Sequence, residues 1–387
     1  MGNICRFCGE KDLKLLRSFE DYPIFIGCSD QPLEADELYR FSIHYCPSCE
    51  IIQQLNTPPL DILYRENRAF GLGKVWQGHY DQYYKFMADK LLTAKDVLEV
   101  GGGNGVLLEK ILTSGTSAHI FDVEPNPQYS FDDVCTLEEY FDNNFNFDGQ
   151  FDVIYSSHLI EHLLNVNEFL QNCKKFLKPT GSVFIACPDI SKSFEHLHLN
   201  AFTTDHFNYY APWTMATLAA KHGLVVVRYE GYRDHSMYLE LRHAEDQTDT
   251  VIFGGKDILA IFHEYEDTIK GFASYVANLK LRSVLLFGAH AFSITFLYYL
   301  REASGEEMPL VEAVLDNEPT KSNRRLSGTN LICRTPSDIL PGKDAARVLM
   351  YMGAYTEEIC SQLLTLNSTV DLMRIDQFAN ASREEAM

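Results

Sequence analysis

Positive charge is scarce in this sequence. Against 54 aspartates and glutamates stand 33 lysines and arginines, for a formal net charge of -21. No run of five basic residues relieves that balance locally, so a phosphate backbone would be repelled and nucleic acid is excluded as an expected partner. Also missing is any stretch of about 18 apolar residues, the length a membrane helix needs. The opening residues Met-Gly-Asn-Ile-Cys-Arg-Phe-Cys lack the apolar segment of a signal peptide. Both absences lead to the expectation of a cytoplasmic protein with no membrane partner. Ten cysteines in 387 residues are too dilute for a disulfide scaffold.

What remains is ordinary globular material, 46% hydrophobic and 22% charged, in a chain long enough for two or three domains. The segment up to about Asn56 has little helical period. Thr57-Pro58-Pro59 ends it, because prolines remove backbone donors and restrict the residue before them, so the first domain spans 1–58. From Leu60 to about Lys90 the apolar spacing is helical, interrupted at Gly71-Leu72-Gly73. Strands then alternate with helices: strands over 96–100, 119–123, 151–156 and 182–187, helices over 106–112 and 166–176. That alternation predicts a doubly wound, parallel α/β domain over 59–245. A long helix over 257–279 opens a second alternation, with strands at 283–287, 310–315 and 347–351, giving a third domain over 250–375. Residues 376–387 have little to bury and are expected to form a frayed tail.

Four cysteines fall into two tight pairs. Cys5 and Cys8, then Cys46 and Cys49, supply the four thiolates that a tetrahedral structural zinc requires. Gly9, and Pro47-Ser48 inside the second pair, suit the knuckle turns that bring two sulfurs to one ion. Four protein ligands leave no open position, so such a metal stabilises rather than catalyses. Cys28, Cys135, Cys173, Cys187, Cys333 and Cys360 read as small apolar residues.

Val97-Leu-Glu-Val100 reads as a buried strand, Gly101 to Gly105 as a turn, and a helix follows. Glycine lets backbone pass close to a ligand where a β-carbon would clash. Such turns also hold phosphates in dinucleotide folds, so the second strand matters. It ends in Asp122-Val-Glu124-Pro125, where Glu124, or alternatively Asp122, can accept both hydroxyls of a ribose. Glu99 before the glycines and Gly-Gly-Gly-Asn-Gly in place of Gly-x-Gly-x-x-Gly favour S-adenosylmethionine over NAD.

These residues resemble the class I S-adenosylmethionine-dependent methyltransferases, which have a Rossmann-like α/β core. Phe151-Asp-Val-Ile154, Ser157-His-Leu-Ile-Glu-His162, Leu177-Lys-Pro-Thr-Gly181 and Pro188-Asp189 follow that family's order. The resemblance implies that Glu99, Gly101, Gly103 and Gly105 surround the methionine moiety, Glu124 the ribose, and Ser156 and His158 the methyl donor. Glu161-His162 reads equally well as a structural pair at a helix start. The order of a four-cysteine module, a methyltransferase core and a second Rossmann-like α/β domain is similar to sugar C-methyltransferases acting on nucleotide-linked 4-keto sugars. Gly288-Ala289, Val314 to Lys321 and Arg325 to Thr329 carry that likeness into the third domain.

By the same resemblance the catalytic base is His206 in Thr203-Thr-Asp205-His206, where the family has Tyr-His-Glu-His. Asp205 keeps a carboxylate, Thr203 replaces the tyrosine, and Tyr64 stands for a tyrosine used from before the core. A carbon beside a ketone becomes nucleophilic only once its proton is removed, which a histidine titrating near neutrality can do. Asp205 would orient the imidazole or polarise a sugar hydroxyl. Asp234-His235-Ser236 departs from an expected Gly-Gly-Ser, and Phe292 from an expected lysine. Lys321, Arg324 and Arg325 remain as phosphate partners or, more simply, a solvated basic face. The expected activity is C-methylation of a nucleotide-linked keto sugar. The alternatives are O- or N-methylation of a sugar or other small molecule, or a silent donor-binding module.

Overall fold

The computed structural model describes residues 4–64, 74–103, 105–114, 119–123, 134–137, 140–246, 249–279, 283–305, 310–350 and 353–386. The N-terminal module is a small sheet rather than a bare cysteine knuckle. β1 (Lys14–Pro23) pairs antiparallel with β3 (Leu38–Tyr45), which pairs with β4 (Ile52–Gln54); the short β2 (Cys28–Ser29) lies between. Phe19 sits opposite Phe41, and both are buried with Tyr22 in one aromatic cluster.

The core follows as α1 (Leu60–Leu63), α2 (Lys74–Leu91), β5 (Asp96–Val100), α3 (Val106–Thr113), β6 (His119–Val123) and β7 (Val134–Leu137). It continues through β8 (Phe151–Ser157), α4 (Val166–Phe176), β9 (Leu177–Pro188), α5 (Ile190–Glu195), β10 (Asn208–Tyr209), α6 (Pro212–Lys221), β11 (Leu224–Tyr232) and β12 (Ser236–His243). The sheet order is β11-β12-β9-β8-β5-β6-β7. Val97, Leu98 and Val100 are buried, as a strand covered on both faces requires. The sheet is not wholly parallel: β12 runs antiparallel to both β9 and β11. Only Arg233-Asp-His235 separates β11 from β12, and so short a link allows a hairpin but no crossover.

The third unit comprises α7 (Ile258–Asn278), β13 (Ser283–Phe287), α8 (Ala291–Ser304), β14 (Leu310–Leu315), β15 (Arg325–Leu326) and β16 (Cys333–Arg334). Then come α9 (Pro336–Ile339), β17 (Arg347–Met350), α10 (Thr356–Leu366), β18 (Asp371–Arg374) and α11 (Ile375–Ala386). Its five strands, in the order β16-β14-β13-β17-β18, are parallel. The expected tail over 376–387 is helical through Ala386. Ile375, Phe378 and Ala379 recur at helical spacing, and Phe378 packs against Phe272 and Tyr275 of α7.

The first and last units share one core. Phe19 and Tyr22 meet Tyr298 of α8, and the Tyr22 hydroxyl lies 2.9 Å from Thr295 Oγ1. β2 pairs with β15, and the Arg325 guanidinium makes two 2.6 Å bonds to Asp36. The N-terminal sheet also gains a strand from the central α/β unit, since β10 pairs with β4 through Asn208 opposite Gln53 and Tyr209 opposite Ile52.

Candidate functional site

The glycine turn leaves the carboxyl end of β5, where an open α/β sheet presents its ligand crevice. Gly101, Gly103 and Gly105 have φ of 75°, 58° and 71°. Alternate residues in the left-handed region explain the sequence, because a side chain there is strained. A Cβ on Gly103 would meet nothing nearer than 3.9 Å, so backbone conformation rather than packing within the chain demands glycine. Glu99 is buried two residues before the turn. Ser156, at the end of β8, is buried with no hydrogen-bond partner for its Oγ among the described residues, and its carbonyl accepts from Tyr83. Glu124 and Asn104 lie outside the described residues.

His158 follows β8 with a left-handed φ of 50°. Its Nδ1 lies 3.0 Å from Glu161 Oε1, and its Nε2 lies 3.2 Å from His79 Nε2 and 3.4 Å from Ser236 Oγ. Trp76 packs edge-on against the His158 ring, and Ser236 also bonds His235. His79 and His235 were not foreseen in this cluster. The available signal was a histidine on the buried face of α2, in line with Tyr83 and Met87. Burial pushes His79 down to about 2 and His235 down to about 4, so both are neutral.

A second group of residues meets the first through Glu161. One ligand atom each from Glu161, His162 and His206 lie within 4.8 Å of one another. His162 Nδ1 donates to the Asp205 carbonyl at 2.7 Å, and its ring packs edge-on to His206 with centroids 4.8 Å apart. The Glu161 carbonyl accepts from Phe207 N at 2.8 Å, tying the 160–162 turn to the segment that carries His206. Burial pushes His206 down to about 4, against the upward pull of Asp205 and Glu161. Glu161 itself is held down at about 2 despite burial, chiefly by the hydrogen bond to His158.

The segment with Asp205 and His206 is fixed from the N-terminal side. Thr204 Oγ1 donates to Ile24 O, Gln54 N donates to Phe207 O, and the Arg6 guanidinium reaches Phe207 O. Leu63, next to Tyr64, packs with Phe207, next to His206, in a small cluster with Ile24. Tyr64 itself is 51% exposed. The residues after it are outside the described part of the chain.

The four paired cysteines converge. Cys5 and Cys49 sulfurs are 3.6 Å apart, Cys8 and Cys46 3.4 Å, and all four lie within 4.8 Å of one another. A tetrahedral ion with metal–sulfur bonds of about 2.3 Å separates its ligands by about 3.8 Å, so the donor set fits zinc. Gln53 Nε2 donates to Cys5 Sγ at 3.2 Å, the kind of outer bond that steadies a thiolate ligand.

The third unit offers less than its sequence suggested. Ala289 N donates to Asp316 Oδ2 and Phe292 N to His290 Nδ1, so neither amide is open to an anion. Phe292 is buried, packing on Phe296. Lys321 pairs with Asp316 at 2.9 Å, Arg324 with Asp30 at 3.0 Å, and Arg325 with Asp36 in a buried fork. Each of these cations thus has a carboxylate partner, and only the Arg325–Asp36 pair is buried. No helix among the described residues is long and apolar enough to cross a membrane.

Comparison with known proteins agrees with the core. Residues 73–229 match the model of a methyltransferase-domain family. The mitochondrial ubiquinone biosynthesis O-methyltransferase of Rattus norvegicus is 33% identical over 113 residues, 25% of this chain and 31% of that protein. The C-methyltransferase NovU of Streptomyces niveus is 24% identical over 237 residues, 58% of this chain and 56% of that protein. The chain thus spans about a third of the first relative and just over half of the second. A solved 1,6-didemethyltoxoflavin-N1-methyltransferase of Burkholderia thailandensis aligns with a TM-score of 0.38 at 12% identity, over 52% of this chain and 98% of that one.

Proposed function

We infer that this chain, whose residues 73–229 form a class I S-adenosylmethionine-dependent methyltransferase domain, methylates a carbon beside the ketone of a nucleotide-linked sugar. The observation that carries the reading is a neutral, half-buried His206 set among Asp205, His162 and Glu161 in a segment clamped by the N-terminal sheet. The likeness to the C-methyltransferase NovU runs over more than half the chain and supports the same reading.

The glycine turn and the polar atoms near it suit the donor: three left-handed glycines keep β-carbons out of its way, and Ser156 Oγ is a buried hydroxyl in need of a partner. When bound, that donor supplies an electrophilic methyl group on a sulfonium. His206 takes the α-proton of the acceptor, which its neutral form can do at pH 7. Asp205 stabilises the imidazolium that results. Trp76 and the Tyr232–Tyr238 pair wall the His158 cluster with apolar surface that limits water. Cys5, Cys8, Cys46 and Cys49 hold a structural zinc that steadies the sheet to which β10 belongs. The substrate is a small molecule.

Incubation with labelled donor and a panel of nucleotide-linked 4-keto sugars tests the reading directly. The expected results are a C-methyl product from at least one and, in deuterated water without donor, exchange of that sugar's α-proton. Methylation without α-proton exchange would move the assignment to an oxygen acceptor, the chemistry named for the ubiquinone-pathway relatives that share the core.

A further inference from the structure

We propose that Glu161 is the positioning residue of the deprotonation step, a single buried carboxylate that orients His206 and serves as counter-charge once His206 is protonated. This rests on the reading of His206 as the base. Glu161 is 1% exposed, and its two oxygens have different surroundings. Oε1 takes the 3.0 Å bond from His158 Nδ1, while Oε2 is buried with no partner among the described residues, in the group it forms with His162 and His206.

The hydrogen-bond directions around it are mutually consistent. An ionised carboxylate can only accept, so His158 carries its proton on Nδ1 and presents a lone pair at Nε2 to His79 or Ser236. His162 spends its Nδ1 proton on the Asp205 carbonyl, so it has none to offer Glu161 from that nitrogen. His206 is then the ring available to Oε2. The attraction between a protonated imidazole and an ionised carboxylate is stronger in such a partly buried site than in water, and it offsets part of the desolvation that disfavours the imidazolium. The backbone bond from Phe207 N to Glu161 O holds the two partners in register.

Other titratable and charged groups also face this pair. Asp205 lies on His206's own segment and Tyr209 on the strand that follows. Arg6 approaches from the N-terminal module through the Phe207 carbonyl. Cys187 and Tyr210 flank Glu161 and are held protonated by burial. Glu161 is thus a carboxylate between the two halves of the cluster, bonded to His158 and within 4.8 Å of a ring nitrogen of His206.

Two measurements on the full chain separate this proposal from the functional reading beneath it. The first is α-proton exchange of the accepted keto sugar in deuterated water, for wild type and Glu161→Gln, with binding of S-adenosylhomocysteine as the control for folding. An exchange rate lowered about 100-fold or more at unchanged binding, with partial recovery in Glu161→Asp, is expected. A change under about threefold overturns the proposal. The second needs no substrate: nitrogen-15 NMR of labelled histidine at pH 7, assigned with His206→Asn and His158→Asn. Here the His206 and His158 nitrogens should report single tautomers in wild type and mixed ones in Glu161→Gln. Identical His206 shifts in both proteins overturn the positioning role even where no sugar is turned over. Absence of exchange in wild type, with shifts that do move, removes the substrate assignment and leaves Glu161 as the residue that orients His206.

Discussion

His206, marked in the sequence by the Asp205-His206 motif, is kept neutral by the surroundings the fold gives it. Replacing His206 by Asn keeps the side-chain volume roughly constant and removes the basic nitrogen. Loss of about 10² to 10⁴ in α-proton exchange is expected, with S-adenosylhomocysteine binding intact by calorimetry. Because burial holds His206 at about 4, the acid limb of its exchange rate should fall near pH 4 instead of near 6.5. His79 and His235 are displaced in the same direction, to about 2 and about 4. The unfolded chain therefore takes up protons below about pH 6.5 that the folded chain refuses. Their contribution to stability is complete above about 6.5 and is lost as pH falls toward the folded values. A melting temperature that declines from pH 7 to pH 5 follows, and a flat profile would contradict it. At the glycine turn, Gly103→Ala has room for its methyl group but not the backbone conformation. A cost of about 1 to 2 kcal/mol is expected, with weakened S-adenosylhomocysteine binding as the readout.

Elements were legible where an apolar run and its period agree. The strands 96–100, 119–123, 283–287 and 310–315 and the helix 166–176 lie where the sequence pattern places them. The reversed β12 was not legible, because a buried antiparallel strand and a buried parallel one have the same apolar content; only the three-residue link to β11 distinguishes them. The C-terminal helix was missed for a related reason. Its apolar face is short, and it counts only when α7 is there to meet it. Phe378→Ala should cost about 2 kcal/mol in denaturant unfolding, below the full value for a wholly buried phenylalanine. At the site, the glycines, His158 and His206 could be found by motif, whereas His79 and His235 come from α2 and the β11–β12 hairpin. Contacts between residues 79 positions apart, as His79 and His158 are, leave no trace in local periodicity.

For the molecule as a whole, the three units should not behave as beads on a string. Phe19, Tyr22, Tyr298 and the Arg325–Asp36 fork join the first unit to the last, so calorimetry should give one cooperative transition. Arg325→Ala leaves Asp36 as an uncompensated, largely buried charge and should cost about 3 to 5 kcal/mol. Metal analysis should find one zinc per chain. Cys46→Ser should lower both that content and the melting temperature. It should also reduce exchange by His206 more than it reduces donor-product binding, since β4 braces β10 and leaves the glycine turn alone. That shared strand has a consequence for how such a protein diversifies. On the function proposed above, the glycine turn of one sheet serves the methyl donor and the segment braced by the other serves the acceptor, so drift within the first 58 residues would re-aim the acceptor side and leave the donor chemistry inherited unchanged.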